Sequence, residues 1–264
     1  MQFIALLVRQ GANRLILKGG MAMRALYGST RLTKDVDFDC EDKVSQQPMQ
    51  SHMSKALTQA ARLVGLAGVE VTRTKQGERS VRWRVAGTAA GDVKIIWEVE
   101  VSRRGVPPAE FIETKPFETP IAYRIPPFSV RVYGPAAMAG GKVNALLSEN
   151  RSVPRDVYDL SELIRNGADP TELWIRRIPR QVLERKRPAI MAKIEIIDFA
   201  MAAAELLPYI APEIRQSIDE ARWDEIRLEV AHHVEQWMDS AITVAEGYGE
   251  DEHLQTADID LAGR

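Results

Sequence analysis

The sequence predicts an α+β fold in which a small mixed β-sheet precedes a C-terminal helical bundle. Three stretches carry this reading. Residues 15–40, LILKGGMAMRALYGSTRLTKDVDFDC, read as a strand, a glycine turn, a short helix and a second strand. Residues 69–101 contain three β-rich runs with glycines between them. From Thr171 onward only helical periodicity is seen, over residues 171–187, 189–207 and 212–246.

In chain order, Phe3, Ile4, Leu6, Leu7 and Val8 mark an N-terminal helix that stops before Gly11. Leu15-Ile16-Leu17 suits a buried strand. Lys18-Gly19-Gly20 breaks it, and Met21 to Leu26 is built of good helix formers. The glycines allow a sharp turn from strand to helix and let a bulky anion approach with no Cβ in the way. A helix N-terminus there aims unpaired N–H groups and a positive dipole end at that anion. Gly28, Ser29 and Thr30 close the helix. Asp35-Val36-Asp37-Phe38-Asp39 then alternates strictly, which places the three aspartates on one strand face and Val36 and Phe38 on the other. Carboxylates so arranged repel, and unpaired burial would raise their pKa values until they protonate. A divalent cation removes the conflict, and Mg²⁺ takes one or two carboxylates together with substrate phosphates. Gly-Gly alone is an ordinary turn and Asp-x-Asp alone a solvated strand end. In this order and spacing they outline a nucleoside-triphosphate site.

Residues 41–51 are polar, contain Pro48 and are expected to form a loop. Residues 53–66 carry Ala56, Leu57, Ala60, Leu63 and Val64 at helical spacing, with Gly65 or Gly68 as the stop, in a helix expected to cover one face of the sheet. The runs 69–74, 80–85 and 93–101, with Gly77 and Gly87 at the turns, predict an antiparallel meander. In the third run Ile96, Glu98 and Glu100 share one face, and Ile95, Trp97, Val99 and Val101 the other. The two acids are either a solvated strand edge or the source of a third carboxylate in a two-metal phosphoryl-transfer site. Pro107, Pro108, Pro116, Pro120, Pro126 and Pro127 then break the chain into loops and short β pieces at 121–125 and 128–132, the expected boundary between a domain at 1–133 and one at 134–264.

Pro135 suits the first turn of a helix bearing Lys142, Ala145, Leu146 and Leu147, and Pro154 opens another with Arg155, Asp156, Tyr158 and Asp159. Taken alone, Asp156 and Asp159 with Arg151 and Arg155 are a solvated helix turn with surface ion pairs. Arg176, Arg177, Arg180, Arg185, Lys186 and Arg187, opposed by Glu184, form either a solvated basic face or a contact for RNA phosphates. Trp174 is expected in the core, His232-His233 lacks a second spaced ligand pair for zinc, and residues 250–264 are expected to fray.

Composition sets the outer limits. The 264 residues suffice for one large or two small domains, and 45% hydrophobic with 27% charged residues is ordinary for a globular protein. A net charge of −2 excludes a chain that binds polyanions over its whole surface, so any nucleic-acid surface is a local patch. Cys40, the only cysteine, excludes an internal disulfide, fits a reducing cytoplasm and reads as a small buried hydrophobe. Residues 1–7 lack the basic region and cleavage site of a signal peptide, and no run reaches the ~18 apolar residues that span a bilayer, so a soluble intracellular protein is expected.

The stretch GGMAMRALYGSTRLTKDVDF resembles the opening motif of the AbiEii/AbiGii toxin family, which includes the MenT toxins, within the nucleotidyltransferase superfamily of polymerase β type. That superfamily's signature is an apolar residue, Gly-Gly or Gly-Ser, a gap, then Asp-x-Asp or Asp-x-Glu. Here 14 residues separate Gly20 from Asp35, long for the superfamily but usual for this family, and Thr33-Lys34 stands where the family has Ser. The family's closing motif, Lys-x-x-Ala-Leu followed by Arg and then Arg-Asp-x-x-Asp-Leu, is matched by Lys142, Arg151 and Arg155-Asp156. Glu100 before Val101-Ser102-Arg103 matches the family's strand acid, whereas Glu98 stands where Lys is commoner. The resemblance covers residues 10–170. It implies a nucleotidyltransferase catalytic domain at 1–133 and a helical domain at 134–264 that contributes the second motif. It implies Mg²⁺ on Asp35, Asp37 and Glu100 (or Glu98), and nucleotide contacts from Lys18, Gly19, Gly20, Ser29, Lys34, Arg151 and Arg155. Lys142 would touch nucleotide phosphates, and Asp156 would act near the metal or as base. The implied reaction is transfer of a nucleoside monophosphate from NTP to an RNA acceptor, the tRNA 3′ end in the MenT branch. The implied setting is a cytoplasmic growth-inhibiting toxin, of a toxin–antitoxin or phage-defence pair, with a cognate antitoxin. Two rivals share part of the pattern: a small-molecule nucleotidyltransferase of aminoglycoside type, and a catalytically silent relative that binds nucleotide or a partner protein.

Overall fold

The computed structural model describes residues 1–10, 12, 14–40, 46–77, 79–117, 119, 121–147 and 153–247. The N-terminal helix α1 (Gln2–Arg9) leads to β1 (Leu15–Lys18), α2 (Gly19–Leu26), β2 (Asp35–Cys40) and α3 (Gln46–Leu63). The strands β3 (Ala67–Gln76), β4 (Ser80–Ala89), β5 (Val93–Ser102), β6 (Ile112–Phe117) and β7 (Phe128–Tyr133) follow. The remainder is helical: α4 (Pro135–Leu146), α5 (Pro154–Arg165), α6 (Thr171–Ile175), α7 (Arg180–Glu195), α8 (Phe199–Glu205), α9 (Pro212–Arg215) and α10 (Glu220–Gly247). These elements make two compact units. The first comprises Met1–Leu26, Thr33–Pro108 and Ile112–Val132, and the second Tyr27–Leu32, Ala109–Phe111 and Tyr133–Arg264.

In the first unit the strands form one mixed sheet in the order β3-β4-β5-β2-β1-β7-β6. The meander β3-β4-β5 is antiparallel throughout, β2 runs parallel to β5, and β1 is antiparallel to β2 and parallel to β7. Alternation along the strands sends Phe38, Val81, Trp83, Val85, Val99 and Val101 into the core, where none is more than 2% exposed. Met53, Ala56 and Leu57 of α3 are equally buried, and Trp83 donates its indole N–H to Ser54 Oγ at 3.2 Å. From α1, Phe3 meets Phe38 edge-on with ring centroids 6.3 Å apart.

In the second unit α4 and α5 each begin with a proline in the first turn, where the missing N–H has no helical partner to lose. The long α10 packs against α5, α6, α7 and α8 and buries Trp223, Val230, Val234 and Ala241 completely. Among the described residues no helix is long and apolar enough to cross a membrane.

Four expectations are corrected. The helix α3 starts at Gln46, not near residue 53; Pro48 falls in its first turn, where proline is tolerated, so it does not mark a loop. Gly87 lies inside β4 rather than at a turn: a Cβ there would sit 3.1 Å from Leu66 Cβ, so close packing excludes a side chain. Gly91, with φ +74°, provides the turn into β5. The strand expected at 121–125 lies instead at β6, with Ile121–Tyr123 a 3₁₀ turn; β6 is the outermost strand of the sheet, which is where Pro116 is allowed. Finally, the helix expected over 171–187 divides at Pro179, and α7 continues through Pro188 because Leu183, Ile190 and Ile194 bury one stripe on both sides of it.

Trp83 combines complete burial with a hydrogen bond, so Trp83→Ala is expected to cost about 3–5 kcal/mol, the range for an aromatic-to-alanine cavity. Urea unfolding measures it; a cost below about 1 kcal/mol would mean that the α3–sheet core is not packed as described.

Candidate functional site

The chemistry-bearing residues of the first unit are set by strand register. Lys18 on β1 is opposite Asp37 on β2, Asp37 is opposite Glu100 on β5, and Glu100 is opposite Arg82 on β4. The next row is Asp35, Glu98 and Arg84, and the row on the other side brings together Ile16, Asp39, Ser102 and Ser80. Directly paired residues share a sheet face, so Asp35, Asp37, Asp39, Glu98 and Glu100 form one acidic patch.

Two cations hold part of that patch. Lys18 Nζ lies 2.6 Å from Asp39 Oδ1, and the buried Asp39 is thereby neutralised. Arg82 donates to Glu100 Oε2 through Nε at 3.0 Å and Nη2 at 2.5 Å, and its Nη1 lies 3.5 Å from Glu98 Oε2. The hydrogen bond to Glu100, which outweighs partial desolvation, raises the guanidinium pKa above its ordinary value, as do the charges of Glu100, Glu98 and Asp35. Asp35 is exposed and Asp37 half-buried.

The glycine turn touches the same patch. Gly19 has φ +67°, and a Cβ built on it would lie 2.5 Å from Asp37 Oδ2. A side chain at Gly19 therefore meets both a conformational and a steric bar. Gly19 and Gly20 open α2, so the N-terminus of that helix starts beside Asp37.

The second unit holds a separate, buried set. Arg31 grips Asp159 with two parallel hydrogen bonds, Nε to Oδ1 and Nη2 to Oδ2, both 2.9 Å. Lys142 Nζ lies 2.5 Å from Asp159 Oδ2 and 3.0 Å from Asp156 Oδ1, and both carboxylates are inaccessible to solvent. Burial alone would lower the Lys142 pKa; Asp159 and Asp156 more than offset it and raise it, so the ammonium stays charged. Tyr158 OH lies 2.9 Å from Thr30 Oγ1, and the Thr30 N–H donates to Glu162 Oε1 at 3.4 Å. Desolvation pushes the Glu162 carboxyl above its ordinary pKa, with Asp159 adding to the rise and hydrogen bonds from Ser29 and Thr30 opposing it.

The residues singled out from sequence fall as follows. Lys18, Gly19, Gly20, Asp35, Asp37 and Glu100 lie together in the first unit, with the exposed Lys34 just before β2. Ser29 belongs to the second unit, is buried, and accepts a hydrogen bond from the Arg31 N–H at 3.3 Å. Lys142 and Asp156 are in contact, Arg155 is exposed on α5, and Arg151 lies outside the described residues. Asp156 and Asp159 are buried, not the solvated helix turn that the sequence alone allowed. In the basic cluster Arg176 pairs with Glu110 and Glu172, Arg180 with Glu184, and Arg187 with Glu235 and Asp239. Cys40 and Trp174 are buried as expected.

Sequence reading passed over Arg31 and Arg82. The alternation Val81-Arg82-Trp83-Arg84-Val85 puts Arg82 on a polar face, but which acids it meets depends on the β4–β5 register.

As for a metal, no three His, Cys, Asp or Glu side chains converge as a ready-made cage among the described residues. Mg²⁺ does not need one: it is held by one or two carboxylates plus substrate phosphates. Asp35 and Asp37, on one face and with Asp37 Oδ2 packed against the Cβ-less Gly19, fit that donor set.

The sequence profile described as nucleotidyl transferase AbiEii toxin, type IV toxin–antitoxin system, matches residues 5–240. Among solved structures, JHP933 from Helicobacter pylori is similar with TM-score 0.56 and 16% identity, over 93% of this chain and 91% of that one. A second H. pylori protein, provisionally assigned as a nucleotidyltransferase, gives TM-score 0.55 and 15% identity over 93% and 92%. MenT4, a nucleotidyltransferase toxin from Mycobacterium tuberculosis H37Rv, gives TM-score 0.49 and 19% identity over 92% and 90%. The two H. pylori structures share the fold. Sequence comparison with curated proteins gives no match.

Two stability predictions follow from this geometry. Gly19 and Gly28 have similar positive φ values, +67° and +71°, but only Gly19 has a neighbour within 4 Å of a built Cβ. Gly28→Ala should therefore cost the conformational penalty alone, about 1–2 kcal/mol, and Gly19→Ala distinctly more; equal costs would show that the Asp37 contact is unimportant. For Glu162, a folded pKa raised above the unfolded one means its favourable contribution is present below the unfolded pKa and lost as pH rises through the folded pKa. Glu162→Gln keeps an acceptor for Thr30 and removes the buried charge, so its melting temperature relative to the parent should rise from acid to neutral pH. A difference independent of pH would refute this.

Proposed function

The chain belongs to the AbiEii family of nucleotidyl transferase toxins of type IV toxin–antitoxin systems, and on that premise we propose that it moves a nucleoside monophosphate from an NTP to an RNA acceptor, the tRNA 3′ end first among candidates, with Mg²⁺. An antitoxin is its counterpart in such a system. The observation that carries the proposal is the pairing of Asp35 and Asp37 on one strand face with Gly19 placed against Asp37 Oδ2.

The first unit is proposed as the catalytic one. Asp35 and Asp37 would hold Mg²⁺, which when bound neutralises triphosphate charge and favours departure of pyrophosphate. The chain's own part is positioning. The N–H groups opening α2 at Gly19 and Gly20 bind phosphate oxygens, and the missing Cβ at Gly19 lets them approach the Asp37 carboxylate. Lys34, exposed beside the acidic strand, adds a cation for the triphosphate. Lys18 neutralises Asp39 and so keeps the strand's third carboxylate from repelling the nucleotide. For Lys142 the family resemblance implies phosphate contact, and for Asp156 a role near the metal or as base; within the second unit the contacts of Lys142 with Asp159 and Asp156 keep its ammonium charged. The RNA acceptor comes from the resemblance of both motifs to the AbiEii family, in whose MenT branch the acceptor is the tRNA 3′ end. With NTP and tRNA as the proposed reactants, the proposed setting is the cytoplasm.

Incubation with each α-labelled NTP, Mg²⁺ and total tRNA tests this. Label should appear on tRNA and fall at least about 100-fold, ~2.7 kcal/mol of activation free energy, in Asp35→Asn and Asp37→Asn. Label only on a small hydroxylated acceptor such as an aminoglycoside would replace the RNA reading. No transfer with intact NTP binding would mark a silent relative.

A further inference from the structure

Arg82 has no place in the scheme above, yet it sits in the same row of the sheet as Lys18, Asp37 and Glu100. Its guanidinium takes Glu100 Oε2 with two N–H groups and reaches toward Glu98 Oε2 at 3.5 Å. Glu100 is the carboxylate that a second metal ion would need, since two-metal sites place bridging or flanking acids around both ions. Adjacent strands lie about 4.8 Å apart, so Asp37 and Glu100 would repel across β2 and β5 without a counter-charge. Arg82 supplies it from the far side of β5. A guanidinium does not deprotonate in a protein, so this occupation of Glu100 does not lapse with pH as a lysine's or a histidine's would.

We propose that Arg82 is a built-in cation standing where a second metal ion's charge would be, so that this acidic face takes one divalent cation, on Asp35 and Asp37, and Glu100 is a positioning residue rather than a metal ligand. The inference rests on the Mg²⁺ reading of Asp35 and Asp37. It also sets aside both candidate acids of β5 as ligands: Arg82 engages Glu98 and Glu100, and neither ligates metal.

The test counts ions without using turnover. Mn²⁺, in place of Mg²⁺, is titrated into the full chain saturated with a non-hydrolysable NTP analogue that supplies the phosphate donors; the bound fraction is read from loss of the free-ion electron paramagnetic resonance signal, after subtraction of a protein-free analogue control. The unaltered protein should bind one equivalent. Arg82→Met, which keeps bulk and removes charge, should bind two; Arg82→Lys should return the count to one; and Glu100→Gln should leave it at one. Asp35→Asn with Asp37→Asn should bind none. Two equivalents in the unaltered protein, or one in a folded Arg82→Met, overturns the proposal; the first needs no variant to fold. Zero equivalents in the unaltered protein would instead overturn the metal assignment beneath it, so the two failures are distinguishable.

Discussion

Parallel pairing of β2 with β5 is the constraint from which the rest of the first unit follows. It aligns Asp35 with Glu98 and Asp37 with Glu100, so acids meet acids across two adjacent rows. Like charges directly opposite one another destabilise a sheet. The flanking strands answer from both sides, β1 with Lys18 on Asp39 and β4 with Arg82 on Glu100 and Glu98. The hydrophobic face below tolerates no slip of register, because a one-residue shift would turn Val99 and Val101 outward and the glutamates inward. Packing therefore enforces an electrostatic arrangement that the acids would not adopt unaided.

The second unit solves a related problem by neutrality. Arg31, Asp159, Lys142 and Asp156 alternate in sign along one chain of contacts and carry no net charge. Desolvating two carboxylates and two cations is expensive, and removing one member would strand its partner. The return is geometric. Arg31 ties the segment Tyr27–Leu32 to α5, with Tyr158 on Thr30, Tyr27 OH on the Tyr133 carbonyl at 2.6 Å and the Leu32 N–H on the Tyr209 carbonyl at 2.7 Å. A stretch of loop composition is thereby held by contacts to α5, Tyr133 and Tyr209.

Periodicity made the elements around the site legible: β1, the Gly19 turn, α2, β2 and the meander each have a local signal in residue spacing. What sequence concealed was pairing between distant elements. Strict alternation placed Asp35, Asp37 and Asp39 on one face, but only the β1–β2 and β4–β5 contacts show that Asp39 belongs to Lys18 and Glu100 to Arg82. Pro48 and Pro188 misled for the opposite reason, since a local breaker was overridden by its position in a first turn or by burial on either side. Asp156 and Asp159 read equally well as solvent-facing; their complete burial depends on Lys142 and Arg31, which approach from other elements.

Charge accounting over the acidic face gives its functional meaning. Through the three rows that cross β1, β2, β5, β4 and β3, five carboxylates stand against Lys18, Arg82, Arg84 and Lys75, an excess of one negative charge. On the proposed reading, a divalent cation held by Asp35 and Asp37 would remove that excess. A triphosphate brings further negative charge, so a face with more free carboxylates would repel the nucleotide and one with fewer would not retain the metal. Exchange of Arg82 for a neutral residue would shift the balance by one unit toward repulsion while freeing a ligand. If the proposed metal site holds, the arginine on β4 would set how much cation the face demands as well as where that cation resides.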